Sequence, residues 1–384
     1  MRGKQHNKQN NKSTHMQTAQ VICPVDNVVT TFPFSKQELQ PVIDFLLSNV
    51  PLPATDKAFP VGTVTSDGRL DMCKQKLGVA GIELVTAALK NNTVIKHILL
   101  GTNAFGNPGA IAVADLLKTN NTIKTVYLGC NYIEHTGCKA ICEALEENQS
   151  VKSIWFKRNP IGGESVASLI KLLSKNKHIR TLDLVNTCVG EDLNILLEYL
   201  AKNNTIERFY LSGNHLTAGT MKHVNDMLLR NNHMKSLYLS VNNIGDEGVA
   251  TLAPALSTNT TLEDLSLASC GIGDRGMQLL FTALKTNKSI KSLDLGYAAS
   301  TRALKAKVNQ LSPASATLLT EYFMDQAQVE NMNLTRTNLP EENKLILKKE
   351  MERRGVNTIA MDGFPGKPVY RIHPDSKAIK SVYR

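Results

Sequence analysis

Residues 95–103 read IKHILLGTN, and residues 123–131, 28 positions later, read IKTVYLGCN. The same order of apolar and polar residues begins again at residues 151, 179, 206, 234, 262 and 290. Self-similarity at a fixed spacing is typical of repeat architectures, in which each unit packs mainly on its neighbours. With a degenerate first unit near residue 67 and a displaced last unit at residue 329, we expect about ten repeats.

Each repeat predicts a short strand followed by a helix. Alternate residues of a strand point to opposite sides, so one side of every strand should be apolar. The predicted inward pairs are Ile98/Leu100, Val126/Leu128, Ile154/Phe156, Leu182/Leu184, Phe209/Leu211, Leu237/Leu239, Leu265/Leu267 and Leu293/Leu295. The second half of each unit carries apolar residues three or four positions apart, as in Val249, Leu252 and Leu256, which predicts a helix packed on the strand.

Asparagine recurs at two positions of the repeat. The first follows the strand, and its amide should satisfy buried loop groups; its members are Asn103, Asn131, Asn159, Asn214 and Asn242, with Thr187, Cys270 and Ala298 as exceptions. The second lies three residues before each new unit, where we expect a left-handed residue ending the helix. Its members are Asn92, Asn120, Asn148, Asn176, Asn203, Asn231, Asn259 and Asn287.

The pattern L-x-x-L-x-L-x-x-N/C-x-L over residues 67–354 resembles the ribonuclease-inhibitor-like leucine-rich-repeat family. That resemblance implies an α/β solenoid shaped like a horseshoe, with a concave parallel β-sheet, convex α-helices and about ten repeats of 28 residues. Proteins of this kind include ribonuclease inhibitor, sensor arrays of immune receptors, the Ran GTPase-activating protein and bacterial effectors that act inside host cells.

The segments around the array have different expected roles. Residues 1–20 are basic and rich in Asn and Gln, which predicts disorder. Residues 21–66 should form an N-terminal cap, with Ser35 and Glu38 in capping-box spacing. The spacing of 39 residues between positions 290 and 329 predicts an insertion near 300–316 that projects as a loop or helix extension. A last helix should end near Gly355, leaving a basic tail at 355–384 that packs on the last repeat or carries a linear signal.

Charge and cysteine content indicate which partners and which cellular setting to expect. The net charge is +10, but residues 1–20 carry +4 and residues 355–384 carry +3, so the array itself is only weakly basic. We therefore expect no nucleic-acid partner. No apolar run reaches the roughly 18 residues of a membrane span. Seven cysteines without a CxxC pair favour a reduced, cytoplasmic setting, and we expect a monomer.

No sequence motif indicates catalysis. The chain lacks G-x-x-x-x-G-K, H-E-x-x-H and G-x-S-x-G, so we expect a non-enzymatic protein without a cofactor or catalytic residues. Cys138 and Cys142 are four positions apart on a predicted helix, with His135 nearby. Small apolar cysteines in a helix core are commoner than metal ligands, so no metal site is predicted.

The candidate binding surface is the concave face, defined as the side of the strands opposite the predicted core. Its central row reads Leu99, Tyr127, Trp155, Asp183, Tyr210, Tyr238, Ser266 and Asp294. Exposed Trp and Tyr are frequent at binding hot spots, although aromatic residues also favour strands for their own packing. We expect a protein partner to contact Tyr127, Trp155, Lys157, Arg158, Asp183, Arg208, Tyr210, Tyr238, Asp264 and Asp294.

The sequence thus favours a protein-recognition module, with a secreted effector or inhibitor in a host cytosol as one form of it. A GTPase-activating protein is an alternative, because GTNAFGNPG at residues 101–109 is similar to a stretch of the Ran GTPase-activating protein. That family's acidic C-terminal region is replaced here by a basic tail. A substrate adaptor of a ubiquitin ligase is a third possibility.

Overall fold

The computed structural model describes residues 21–356, 358–362, 373 and 377–379, and the expected disorder of residues 1–20 lies outside them. The described residues form one open sheet of thirteen short strands in chain order. The strands are β1 (Lys57–Ala58), β2 (Thr63–Val64), β3 (Arg69–Asp71), β4 (His97–Leu99), β5 (Thr125–Tyr127), β6 (Ser153–Trp155), β7 (Thr181–Asp183), β8 (Arg208–Tyr210), β9 (Ser236–Tyr238), β10 (Asp264–Ser266), β11 (Ser292–Asp294), β12 (Asn331–Asn333) and β13 (Thr358–Ala360).

Eleven α-helices alternate with these strands in the described part of the chain. They are α1 (Lys36–Ser48), α2 (Gly78–Leu89), α3 (Gly106–Leu117), α4 (His135–Leu145), α5 (Val166–Lys175), α6 (Leu193–Leu200), α7 (Ala218–Arg230), α8 (Gly245–Thr258), α9 (Asp274–Leu284), α10 (Pro313–Asp325) and α11 (Glu341–Arg354). Single 3-10 turns at Gly163–Ser165 and Gly190–Asp192 precede α5 and α6. None of these helices is long and apolar enough to cross a membrane.

The predicted α/β leucine-rich-repeat solenoid is confirmed. Strands β3 to β13 pair in parallel, whereas β1 and β2 add an antiparallel edge at the N-terminal end. The middle residue of each repeat strand faces the helices, as Ile98, Val126 and Ile154 show by complete burial in one continuous core. The strand register predicted from alternation is therefore the observed one.

The asparagine after each strand forms a ladder of hydrogen bonds along the array. Asn131 Nδ2 donates to the carbonyl oxygens of Leu100 and Leu128 at 2.9 and 2.8 Å, and Asn131 Oδ1 accepts from Asn103 N at 2.7 Å. Cys270 takes the same position, since its Sγ donates to Leu239 O at 3.3 Å. The ladder satisfies backbone groups that the packing of the turns would otherwise leave buried and unpaired.

The asparagine before each unit does not have the expected left-handed backbone conformation. None of the eight has the positive φ of a left-handed residue, and Asn176, for example, has φ −78° and ψ 125°. The side chains instead form a second ladder: Asn120 Nδ2 donates to Leu89 O and Asn92 O at 3.0 Å, and its Oδ1 accepts from Thr122 N and Ile123 N. The side-chain amide joins successive repeats, and the helix ends here without a left-handed residue.

Both ends of this second ladder are closed by residues from flanking elements. At the N-terminal end Asn92 Nδ2 donates to Leu46 O of α1 at 2.8 Å, so α1 stands where a preceding repeat helix would lie. The predicted capping box of Ser35 and Glu38 begins α1. At the other end the Arg354 guanidinium donates to the carbonyl oxygens of Phe323, Ala327 and Val329.

The extra residues between β11 and α10 fold back along the array and form turns, not the expected projecting loop or helix extension. Asn309 supplies the ladder side chain of this repeat, with Nδ2 bonds of 2.8 Å to Leu267 O and Leu295 O. Ala298 is therefore not a break in the ladder, because the chain rejoins it eleven residues later. Ser300 Oγ accepts from Arg158 Nη2 at 3.0 Å, across five strand positions of the sheet. The C-terminal segment also departs from expectation, since β13 extends the sheet beyond residue 354.

Candidate functional site

The predicted site residues lie on the concave face, on the side of the strands opposite the core. In the central row the register pairs Tyr127 with Trp155, Trp155 with Asp183, Asp183 with Tyr210 and Tyr210 with Tyr238. Each of these residues ends its strand. Arg208 and Asp264 begin their strands, which places them on the same face two residues earlier.

The aromatic members of the row pack into a cluster separate from the core, which we call the concave cluster. It consists of Leu99, Tyr127, Trp155, Tyr210, Tyr238 and Ile379. The Tyr210 and Tyr238 rings stack at 4.2 Å between centroids, and the Trp155 and Tyr210 rings meet at 4.9 Å.

The expectation that these rings are exposed is wrong. Trp155 has 0% of its surface exposed, and Tyr127, Tyr210 and Tyr238 have 5–6%. They are covered by one another and by Ile379, which is fully buried among them. Strand register therefore predicted which way the rings point, whereas it could not predict what lies above them.

Asp183 is buried beneath the aromatic rings. The register places it between Trp155 and Tyr210, whose rings meet, and its side chain is fully buried. Burial raises the pKa of the Asp183 carboxyl to about 6, although the positive charge of Lys157 and a 2.9 Å bond from Val185 N oppose the rise. Burial likewise lowers the pKa of Lys157, against the attraction of Asp183. The two opposite charges therefore act on one another from desolvated positions.

Acidic residues toward the C-terminal end of the face have polar neighbours. Asp264 Oδ2 accepts from Ser236 Oγ at 2.6 Å and lies 3.0 Å from His373 Nε2. Burial raises the pKa of Asp294 to about 6, opposed by hydrogen bonds from Ser266 Oγ, Gly296 N and Asn333 Nδ2. This end of the face can therefore accept hydrogen bonds from a donor or cation.

The predicted basic residues of the face are engaged within the chain. Arg208 Nε donates to Thr181 Oγ1 at 3.1 Å, and its Nη1 lies 3.0 Å from Glu207. Arg158 reaches away from the cluster to Ser300, as described above. The charge of Lys157 therefore acts on Asp183, whereas Arg158 lies at the edge of the face.

Three residues of the site were missed by sequence reasoning. Arg69 begins β3, in the same row as Arg208 and Asp264, and its Nη1 donates to Ala378 O at 3.2 Å. His373 and Ile379 come from the tail, where no periodicity indicates a contact with the sheet. The register could have identified Arg69, whereas only the fold brings the tail residues here.

The tail contacts also show that the sheet is curved. His373 touches β9 and β10, whereas Ala378 touches β3, seven strands from β10. In a flat sheet those strands would lie about 33 Å apart. The segment is not extended, since Lys377 N donates to His373 O at 2.9 Å. This segment can contact both β3 and β10 only because the sheet curves around it.

In the described part of the chain, no group of three or more His, Cys, Asp or Glu side chains is arranged to hold a metal ion. Cys138 and Cys142 are fully buried in the helical core of α4. Their position agrees with a packing role.

Comparison with known proteins identifies the repeat. The family described as Leucine Rich repeat matches residues 119–142, 230–253 and 258–281. A search of the curated proteins found no significant match.

Among solved structures, actin-binding site 2 of leiomodin-1 is 17% identical with a TM-score of 0.33, covering 50% of this chain and 97% of that one. The tropomodulin C-terminal domain of Caenorhabditis elegans is 13% identical with a TM-score of 0.35, covering 43% and 93%. Yeast Rad7, solved in complex with Elc1, is 12% identical with a TM-score of 0.47, covering 89% and 87%.

Proposed function

We propose that this leucine-rich-repeat protein is a non-enzymatic recognition module that binds a protein partner on its concave face. The observation that carries the proposal is the concave cluster, in which four aromatic rings gather outside the core. Trp and Tyr are among the residues enriched at binding hot spots, which lie in well-packed and desolvated parts of an interface. The contact set comprises Tyr127, Trp155, Lys157, Arg158, Asp183, Arg208, Tyr210, Tyr238, Asp264 and Asp294.

The GTPase-activating alternative has less support from the site. In the stretch 101–109, Asn103 belongs to the first ladder and Phe105 is fully buried in the core. Gly109 is held close to the Phe105 side chain, where an added Cβ would come within 2.6 Å of the ring. Packing therefore accounts for this motif. No feature of the described residues favours a ubiquitin-ligase adaptor.

We further propose a cytoplasmic setting, in this protein's own cell or, for a secreted effector or inhibitor, in a host cell. All seven cysteines are free thiols, as is usual in a reducing compartment. The acidic end of the face, with Asp264 and Asp294, supports a protein partner over a nucleic acid. A monomer with a single such face suits this role.

A quantitative pull-down with three versions of the chain tests the proposal. The wild type is compared with Trp155→Ala/Tyr210→Ala and with the matched control Ile195→Ala/Leu229→Ala, which removes side chains about half exposed on the outer helices. We expect a partner retained by the wild type and the control but lost by the concave variant. Equal retention of the partner by all three versions would exclude the concave face as its binding site. Urea unfolding of each variant shows that it is folded.

A further inference from the structure

We propose that the tail residues 373 and 377–379 belong to an internal ligand of the concave face, which an external partner must displace. The proposal rests on contacts made by the four residues described beyond residue 362, namely His373, Lys377, Ala378 and Ile379. They lie more than 130 residues from the nearest aromatic residue of the concave cluster, Tyr238. Their position is therefore a tertiary docking event, not a continuation of the repeats.

An apolar contact anchors one end of this segment. The Ile379 side chain has 0% exposed surface and belongs to the concave cluster, while Ala378 is 4% exposed. The neighbouring Lys377 is exposed, so the segment presents one apolar side to the sheet and one polar side to solvent. This division is the pattern of a bound peptide.

Polar contacts hold the segment at two further points. Arg69 donates to the backbone carbonyl of Ala378. This bond holds the tail backbone in place and does not depend on which side chain residue 378 carries. His373 lies within hydrogen-bond distance of Asp264 and 3.4 Å from Ser236 Oγ. The face thus has an aliphatic subsite and a carboxylate subsite, and the tail fills both.

The docked tail leaves two buried polar atoms of the site without hydrogen-bond partners in the described part of the chain. Among the described residues, neither Trp155 Nε1 nor Asp183 Oδ2 has a hydrogen-bond partner, although both atoms are buried. An unpaired donor and an unpaired acceptor disfavour the docked state. A ligand that supplies an acceptor to Trp155 and a donor to Asp183 would bind better than the tail does.

These features define the partner's chemistry. It should present a short segment with an aliphatic side chain for the concave cluster and a hydrogen-bond donor or cation for Asp264, with a further donor near Asp183. This description rests on the proposed function. The docking of the tail does not, and it can be tested without any partner.

Trp155 is the only tryptophan of the chain, so its fluorescence reports on the docked tail. In Ile379→Asp we expect emission at longer wavelength and faster quenching by acrylamide, because a carboxylate cannot occupy the aromatic cluster. Lys377→Ala, a change at an exposed tail position, is the control and should match the wild type. Identical spectra for Ile379→Asp and wild type would overturn the proposal.

A synthetic peptide of residues 370–384, YRIHPDSKAIKSVYR, gives a second test in the full-length chain. Labelled with fluorescein, it should bind Ile379→Asp protein at least about tenfold more tightly than wild type, whose site is occupied. The same peptide carrying Ile379→Asp should lose this binding. Equal, weak binding of both peptides to both proteins would refute tail docking while leaving the proposed partner site open to the pull-down.

Discussion

The two sides of the same three-residue strands are both buried, but by different means. Phe209, in the middle of β8, is covered by helices of its own and adjacent repeats, whereas Tyr210, the next residue, is covered by Trp155, Tyr238 and the distant tail. Burial on the core side follows from the repeat. Burial on the concave side also involves contacts with the distant tail, and these are the contacts that we propose a partner replaces.

The largest expected effect comes from removing a core side chain of β8. Phe209→Ala should lower the free energy of unfolding by about 3–5 kcal/mol, because it leaves a cavity that the packed helices cannot fill. Tyr210→Ala should cost only about 1–2 kcal/mol, since the tail can shift into the space. Urea denaturation of both variants checks the difference. Equal losses would mean that the concave cluster is a second structural core.

The next largest effect concerns the first asparagine ladder. Asn131→Ala should cost about 1–3 kcal/mol, because it leaves Asn103 N without its side-chain acceptor. It also removes one of the two amide hydrogen bonds that Leu100 O and Leu128 O each accept. Asn204→Ala, at an exposed position, is the matched control and should change stability by less than about 0.5 kcal/mol. A small loss at Asn131 would show that water can enter the ladder.

The buried carboxylate of the concave face should produce a pH effect of up to about 1.4 kcal/mol per pH unit. The pKa of Asp183 is about 6 in the folded chain, against 3.8 for an unperturbed aspartate side chain. The unfolded chain therefore loses this proton first, and stability should fall as pH rises from about 4 to 6 and then level off.

Asp183→Asn should reduce this fall, since asparagine keeps the acceptor for Val185 N but carries no charge. Asp115→Asn, which alters an exposed ion pair with Lys118, should leave the slope as in the wild type. The measurement is the urea midpoint at pH 4, 5, 6 and 7. An unchanged slope in Asp183→Asn would show that Asp183 remains ionised over this range.

The smallest effect on stability is expected from the tail itself. Ile379→Ala should change the free energy of global unfolding by less than about 0.5 kcal/mol, because the tail can undock while the array stays folded. Hydrogen exchange should nevertheless become faster at Lys377, whose N–H donates to His373 O, and stay unchanged in β8. A large loss of global stability would mean that the tail is an integral part of the fold.

The positions of the repeats, the strand register and the core residues could be predicted from the sequence, because each depends on contacts between adjacent units. Ile98, Val126 and Ile154 lie where alternation placed them, and the first asparagine ladder joins neighbouring turns as expected. The second ladder shows the limit of such reasoning. Its spacing was visible, but the expected left-handed conformation was wrong, since the amides bond across repeats.

Only the tertiary structure decided what covers the concave face. Alternation indicates which way Trp155 and Tyr210 point, whereas Ile379 joins their cluster only because the tail comes back across the sheet. The same applies to the fold-back of Ser300 onto Arg158 and to Asn309, which rejoins the ladder after an interruption. The repeat pattern determines the contacts between equivalent positions of adjacent repeats. Contacts between a unique segment and the array have no period, and only the complete curved sheet brings the two together.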